Sequence, residues 1–215
     1  MKDNYQEDIL ILNILAKFYL SPPLIDAINC LIENSFDVTE GSYATDWQTL
    51  TATLKNLALS DKLENEIKEQ AADHLLLFVG LGMPKAPPWG SVYLHDENLL
   101  LQDSTFALKA FVDENQLEFK PLERQPIDHI GFCLEILALL LERVDLNQHN
   151  ETPKRNVRIF LSQHLLPWIN CCLTLLITNA ETGFYRLIGL ITQNLINDLA
   201  ISLNASAPEN VKIYF

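Results

Sequence analysis

Apolar residues recur along this chain mostly at helical spacing. Ile9, Leu12, Ala16 and Tyr19 form a stripe near the start, the repeat of an amphipathic helix. That helix is expected to stop at Ser21-Pro22-Pro23, because the residue before a proline is pushed out of the helical region. A second helix is expected to begin within the prolines and run to about Asn34, and a third to span residues 46–58. Asp61, with Glu64 three residues on, reads as the capping box of a fourth. Its spacing puts Leu63, Ile67, Ala71, Leu75 and Phe78 on one face, and Glu64, Glu66, Glu69 and Asp73 on the other. The acidic face reads as solvated surface.

The repeat breaks at residues 80–103, GLGMPKAPPWGSVYLHDENLLLQD. Prolines and glycines exclude a regular helix there, and a connection this long inside a domain is usually functional or disordered. Its Met83, Trp89, Val92 and Tyr93 argue against disorder. Ser104 then reads as the cap of a helix through about Asp113, with Leu108, Phe111 and Val112 facing inward. After a connection at residues 114–125, Pro126 suits the first turn of a mostly apolar helix over residues 127–144. Residues 145–153 read as a polar loop. Two long helices complete the chain, the first bent or broken near Pro167, the second striped with Ile188, Ile191, Leu195, Leu199 and Leu203. No useful run of alternation occurs. The predicted class is all-α, a helical globule or bundle forming one domain over residues 1–215.

Composition narrows this further. The 215 residues are 48% hydrophobic, which excludes a disordered chain, and hold only seven glycines, which suits helices. The formal charge of −13 argues against binding a nucleic-acid backbone, which needs lysine and arginine to displace counterions. It favours a basic partner and opposes anionic lipid, though acidity also keeps a protein soluble without any partner. Cys30, Cys133, Cys171 and Cys172 form no CxxC pair and read as small buried hydrophobes in a reducing compartment. Asp3, Glu7 and Asp8 precede the first apolar stretch, where a secretory signal would carry positive charge. Residues 159–180 are uncharged and long enough to span a bilayer. They include Gln163, His164, Pro167, Asn170 and Asn179, so they read as a buried helix and not a transmembrane segment.

Catalytic templates do not fit. A phosphate loop of the form GxxxxGKS is absent, since GLGMPK lacks both its spacing and its hydroxyl. No HExxH occurs, and none of the five histidines pair at i, i+4. Neither an enzyme nor a bound cofactor or metal is called for. Asp128 and His129 are the most chemically suggestive pair. Asp128 either stabilises a helix start with His129 as bystander, or receives a guanidinium with His129 orienting it. Trp89 either pins its loop to the core or offers its face to an apolar or cationic ligand. Glu123, beside Arg124, is either half of a surface ion pair or an auxiliary acid.

Residues 75–142 resemble the diagnostic region of the DmsD/TorD family of twin-arginine proofreading chaperones. The resemblance lies in LLLFVGLGMPKAPPWGSVYLHDENLLLQDSTFALKAF and, after a gap, PIDHIGFCLEILALLLE, two blocks in the right order and separation. Weaker similarity extends to KFYLSPP, HLLPW and FYRLIGLITQNLI, and PPWGSVYL is closer to the DmsD branch. The resemblance implies an all-helical cytoplasmic chaperone that binds the signal peptide of a molybdenum-cofactor oxidoreductase precursor. Export is held back until the cofactor is inserted. It implies peptide-binding roles for Tyr19, Leu77, Phe78, Pro88, Trp89, Pro126, Asp128 and His129. Gln125 stands where the family's Glu-Pro-x-Asp-His block has glutamate, leaving Glu123 as the nearest acid. Expected partners are the signal peptide and the translocase at the membrane. The family also includes monomers, domain-swapped dimers and weak guanine-nucleotide binders.

On this reading the 80–103 loop and the start of the Ile127 helix form opposite walls of one groove, carboxylates for the arginines and apolar walls for the rest. The alternatives are an assembly chaperone that recognises mainly the mature cofactor-free enzyme, a nucleotide-dependent switch, and a structural helical adaptor.

Overall fold

Ten α-helices and two π-helical turns, with no strand, make up the regular structure among the described residues, so the fold is all-α. This is a computed structural model describing residues 4–33, 36–60, 62–80, 82–120, 125–147 and 150–215. In chain order the helices are α1 (Gln6–Leu20), α2 (Ile25–Glu33), α3 (Ala44–Ala58), α4 (Leu63–His74), α5 (Gly90–Leu94), α6 (Asp103–Glu114), α7 (Ile130–Leu146), α8 (Glu151–Ile159), α9 (Ile169–Asn179) and α10 (Gly183–Ser202). The π turns, Leu75–Val79 and Phe160–Leu165, continue α4 and α8. The described residues fall into two compact units. One is drawn from Met1–Leu20, Pro88–Cys172 and Leu199–Phe215, the other from Ser21–Pro87 and Leu173–Asp198.

The first unit is built on α7, which is apolar on nearly every side and buries eleven positions from Ile130 to Val144. Such a helix is stable only inside a core. α1 lies along it and contributes Ile11, Leu12, Leu15 and Ala16, all fully buried. Their backbones close up at Gly131, where a Cβ would stand 2.6 Å from Leu20 Cγ and 3.0 Å from the Ala16 carbonyl. At the other end of the pair, both Asp145 oxygens accept from the Tyr5 amide at 3.1 Å. That bond satisfies one of the donors a helix start leaves open.

The second unit joins α2, α3 and α4 with most of α9 and α10. Trp47 is fully buried there, its indole donating to the Phe36 carbonyl at 3.4 Å. Asp73 is buried as well, which corrects the reading of residues 64–73 as a wholly solvated acidic face. Its Oδ2 accepts from Thr182 Oγ1 at 2.7 Å and from the Thr182 and Glu181 amides at 2.8 and 3.1 Å. The carboxylate is thereby spent on the start of α10. The inward face is already offset within α4, where Leu63, Gln70, Asp73 and His74 are buried, and the same phase carries into the π turn. Leu77 and Phe78 turn inward while Leu75, expected inside, is 54% exposed.

Three boundaries differ from expectation for local reasons. Residues 80–103 include a helical turn, α5, despite their proline and glycine content. α6 begins at Asp103 with Gln102 as its cap residue and no side-chain cap bond; Ser104 lies inside the helix and caps nothing. α7 begins at Ile130, because His129 is extended and its Nδ1 accepts from the Gly131 amide at 3.1 Å. Asp128 therefore precedes the helix, and Pro126 opens a turn closed by the His129 amide on its carbonyl at 3.0 Å. Asp61, expected as a cap, lies outside the described residues.

The break expected near Pro167 is present. The π turn ends at Leu165, α9 restarts at Ile169, and the two segments differ in direction by 61°. Among the described residues no single helix is long and apolar enough to cross a membrane. The α10 stripe is buried at all five expected positions. Cys133 and Cys172 are buried as expected, Cys171 is half-buried and Cys30 is exposed.

Candidate functional site

Prolines bring the Trp89 segment to the start of α7 by removing donors it would otherwise have to satisfy. Pro88 contributes only its carbonyl, which accepts from the Ile130 amide at 2.7 Å, and the Gly90 amide donates to the Asp128 carbonyl at 3.1 Å. These two bonds make an isolated antiparallel bridge between Trp89 and His129. The rings of the same two residues meet edge to face, with centroids 5.9 Å apart at 76°. Trp89 and Asp128 thus converge. They are joined through the main chain and do not face each other across a gap.

Asp128 is 3% exposed. Its Oδ2 accepts from the Ser91 amide at 2.7 Å and from Thr105 Oγ1 at 3.1 Å, so one oxygen ties the α7 entry to both α5 and α6. Its Oδ1 is buried without a hydrogen-bond partner. Buried polar atoms are nearly always paired, and an orphaned carboxylate oxygen marks a place where a donor would be gained.

Asp128 lines a cleft of about 170 Å³. Its polar lining is Ser104, Asp128, Gln163 and His164, and its apolar lining includes Gly90, Leu94, Leu108 and Trp168. Ser104 Oγ is a second buried atom without a partner. Gly90 is required by the wall itself: a Cβ there would stand 2.7 Å from Trp168 Nε1. The Trp168 indole is fixed by donation to the His164 carbonyl at 2.8 Å and by stacking on Tyr93, centroids 5.9 Å apart at 19°. The His164 ring lies among Phe111 and Phe160, and burial pulls its pKa down to about 4. It is therefore a neutral group at physiological pH, able to accept as well as donate.

The chemistry on offer is acceptance of hydrogen bonds from a cation. Asp128, Ser104, Gln163 and neutral His164 all carry acceptor oxygens or nitrogens, and the apolar walls lower the local dielectric, which strengthens such bonds. Nucleophilic chemistry has little support here. Burial pushes Cys172 up to about 12 and Cys133 well above the ordinary thiol range, which keeps both protonated and inert. Among the described residues no cluster of histidine, cysteine or carboxylate could hold a metal.

Of the residues singled out in the sequence, the structure brings together Pro88, Trp89, Asp128 and His129. Pro126 opens the turn that leads to Asp128. Tyr19 is buried on α1. Leu77 and Phe78 belong to the other unit and are buried there, Phe78 edge-on against Tyr185 at 5.6 Å. Glu123 lies outside the described residues. Sequence reasoning missed Ser104, Gln163, His164 and Trp168 as cleft residues. Ser104 resembled a helix cap, and the others sat inside a long apolar run whose π turn has no sequence signature. The HLLPW block was the available signal.

Comparison with known proteins identifies the family. Residues 40–173 match the family described as nitrate reductase delta subunit. The chain is 35% identical over 184 residues to the Tat proofreading chaperone DmsD of Salmonella typhimurium strain LT2, covering 83% of this chain and 81% of that protein. It is 32% identical over 161 residues to the probable Tat proofreading chaperone DmsD of Haemophilus influenzae, covering 74% and 73%. It is 27% identical to the chaperone protein YcdY of Escherichia coli strain K12 over 80% of this chain and 84% of that one. The chain belongs to the nitrate reductase delta subunit family and, within it, to the DmsD/TorD chaperones.

Proposed function

We propose that this protein is a cytoplasmic, non-enzymatic chaperone that binds the twin-arginine signal peptide of a molybdenum-cofactor oxidoreductase precursor. Bound leader is withheld from the translocase until the cofactor is in place. The observation that carries this reading is the unpartnered Oδ1 of buried Asp128 in a cleft with three further polar residues. A guanidinium presents five donors in a planar fork and cannot lose its charge. It would satisfy the orphaned carboxylate oxygen and Ser104 Oγ together. A charge-assisted bond of this kind contributes about 1.5–3 kcal/mol. At about 170 Å³ the cleft is smaller than the roughly 300–1,000 Å³ of ordinary small-molecule pockets. It suits one side chain and not a whole nucleotide. The −13 formal charge attracts a basic leader as well.

The test is calorimetric titration with a synthetic twin-arginine peptide. Asp128→Asn, which keeps the shape and removes the charge, is expected to weaken binding by roughly tenfold or more. A lysine-for-arginine peptide is expected to bind wild-type protein more weakly. Equal affinity of Asp128→Asn and wild type would reject this function for the cleft.

A further inference from the structure

Leu94 and Ser104 both line the cleft, so the chain between them leaves the cleft and returns to it. That excursion carries an apolar surface. Leu99, Leu100 and Leu101 are 52%, 40% and 55% exposed, and Phe106, in the first turn of α6, is 58% exposed. Four large apolar side chains within eight positions on one loop and helix start are unusual for a surface.

The loop is held in this form. Asn98 and Leu101 have positive φ, 51° and 60°, a region that is uncommon for asparagine and an outlier for a bulky residue such as leucine. Side-chain bonds support the bend: Asn98 Nδ2 donates to the Val92 carbonyl at 2.7 Å, and Gln102 Nε2 to the Leu100 carbonyl at 3.2 Å. Strain maintained where apolar side chains point outward is a functional signal, because burial within the chain gives nothing back.

We propose that this rim receives the apolar stretch that comes after the arginines in a signal peptide, while one arginine enters the cleft beside it. The proposal rests on the function given above and extends it to a second subsite. Three features select this occupant. The rim starts and ends at cleft-lining residues, so a peptide anchored at Asp128 reaches it without a gap. Exposed Asp96, Glu97 and Asp103 flank the leucines, which complements a segment that is basic and then apolar. The same acids disfavour a second copy, which would set them near their own images with a formal charge of −13 on each molecule.

The experiment uses the full chain and two labelled peptides in fluorescence anisotropy. One peptide carries twin arginines and an apolar stretch; in the other that stretch is replaced by serine and glycine. Wild type is expected to bind the apolar peptide at least tenfold more tightly. The triple variant Leu99→Ser, Leu101→Ser, Phe106→Ser is expected to lose that advantage, with affinity for the serine-glycine peptide and melting temperature unchanged. Should the triple variant unfold, Leu100→Lys alone gives the same reading. Asp128→Asn is expected to weaken both peptides. If rim variants bind the apolar peptide like wild type while Asp128→Asn weakens it, the rim proposal is overturned and the cleft stands. If Asp128→Asn changes neither peptide, the cleft reading falls, and loss of the apolar advantage in the triple variant still supports the rim. A wild-type dimer in sedimentation that the triple variant renders monomeric, with peptide binding intact, overturns the proposal in favour of self-association.

Discussion

Trp89 and His129 are paired twice, once through the main chain as an antiparallel bridge and once through their rings at 5.9 Å. The two pairings have separable consequences. The bridge uses only backbone atoms of Pro88, Gly90, Asp128 and Ile130, so it survives removal of either side chain. Trp89→Ala is expected to fold, and to lose less than the about 3–5 kcal/mol typical of a fully buried tryptophan, since the side chain is half-buried. Urea unfolding checks the stability, and peptide titration is expected to show weakened binding.

His129 also caps α7 through Nδ1. His129→Ala is expected to cost about 1 kcal/mol or more, and His129→Asn to restore much of it, because asparagine is a strong cap. Only the alanine variant should show faster amide exchange at Gly131. Equal exchange in both variants would contradict the capping role.

His164 sets a pH dependence. Unfolded, its imidazole takes a proton near 6.5; folded, burial delays this to about 4. The native state therefore binds fewer protons between these values, and stability falls as pH drops from 6.5 toward 4. Above 6.5 its full contribution is present. The loss is on the order of 2 kcal/mol after allowing for partial exposure. Unfolding free energies measured between pH 7.5 and 4.5 are expected to flatten in His164→Gln.

Asp73 and Thr182 join positions 109 residues apart. Asp73→Ala leaves the Thr182 amide and hydroxyl without their acceptor and is expected to cost about 2–4 kcal/mol. Thr182→Val, which keeps the amide bond, is expected to cost about half as much. Denaturant midpoints give both values.

Gly90→Ala tests the wall of the cleft. Its Cβ would push the Trp168 indole away from the His164 carbonyl, at about 1–3 kcal/mol. Altered tryptophan fluorescence together with weakened peptide binding is expected.

Helix identity and the buried stripes of α7 and α10 were legible because period and composition agreed there. The entry to α7 was not, since proline at a helix start and proline opening a turn carry the same local signal; only the Pro126–His129 turn separates them. Asp73 was misread for a similar reason. Spacing puts it on the acidic face of α4, and its acceptor role depends on Thr182, far off in sequence. The pairing of Trp89 with Asp128 came from the family resemblance. Ser104 and His164 were hidden by a helix start and a π turn.

The π turn at Phe160–Leu165 makes cleft geometry depend on residue count. Deleting one residue within it would return the segment to 3.6 per turn and leave the helix on either side in register, so the side chains displaced would be those of the turn itself, His164 among them. Relatives with the same hydrophobic composition but one residue fewer here would present a different side chain at the position of His164. Length in this stretch is thus a route by which chaperones of one architecture could diverge in client choice with their cores intact.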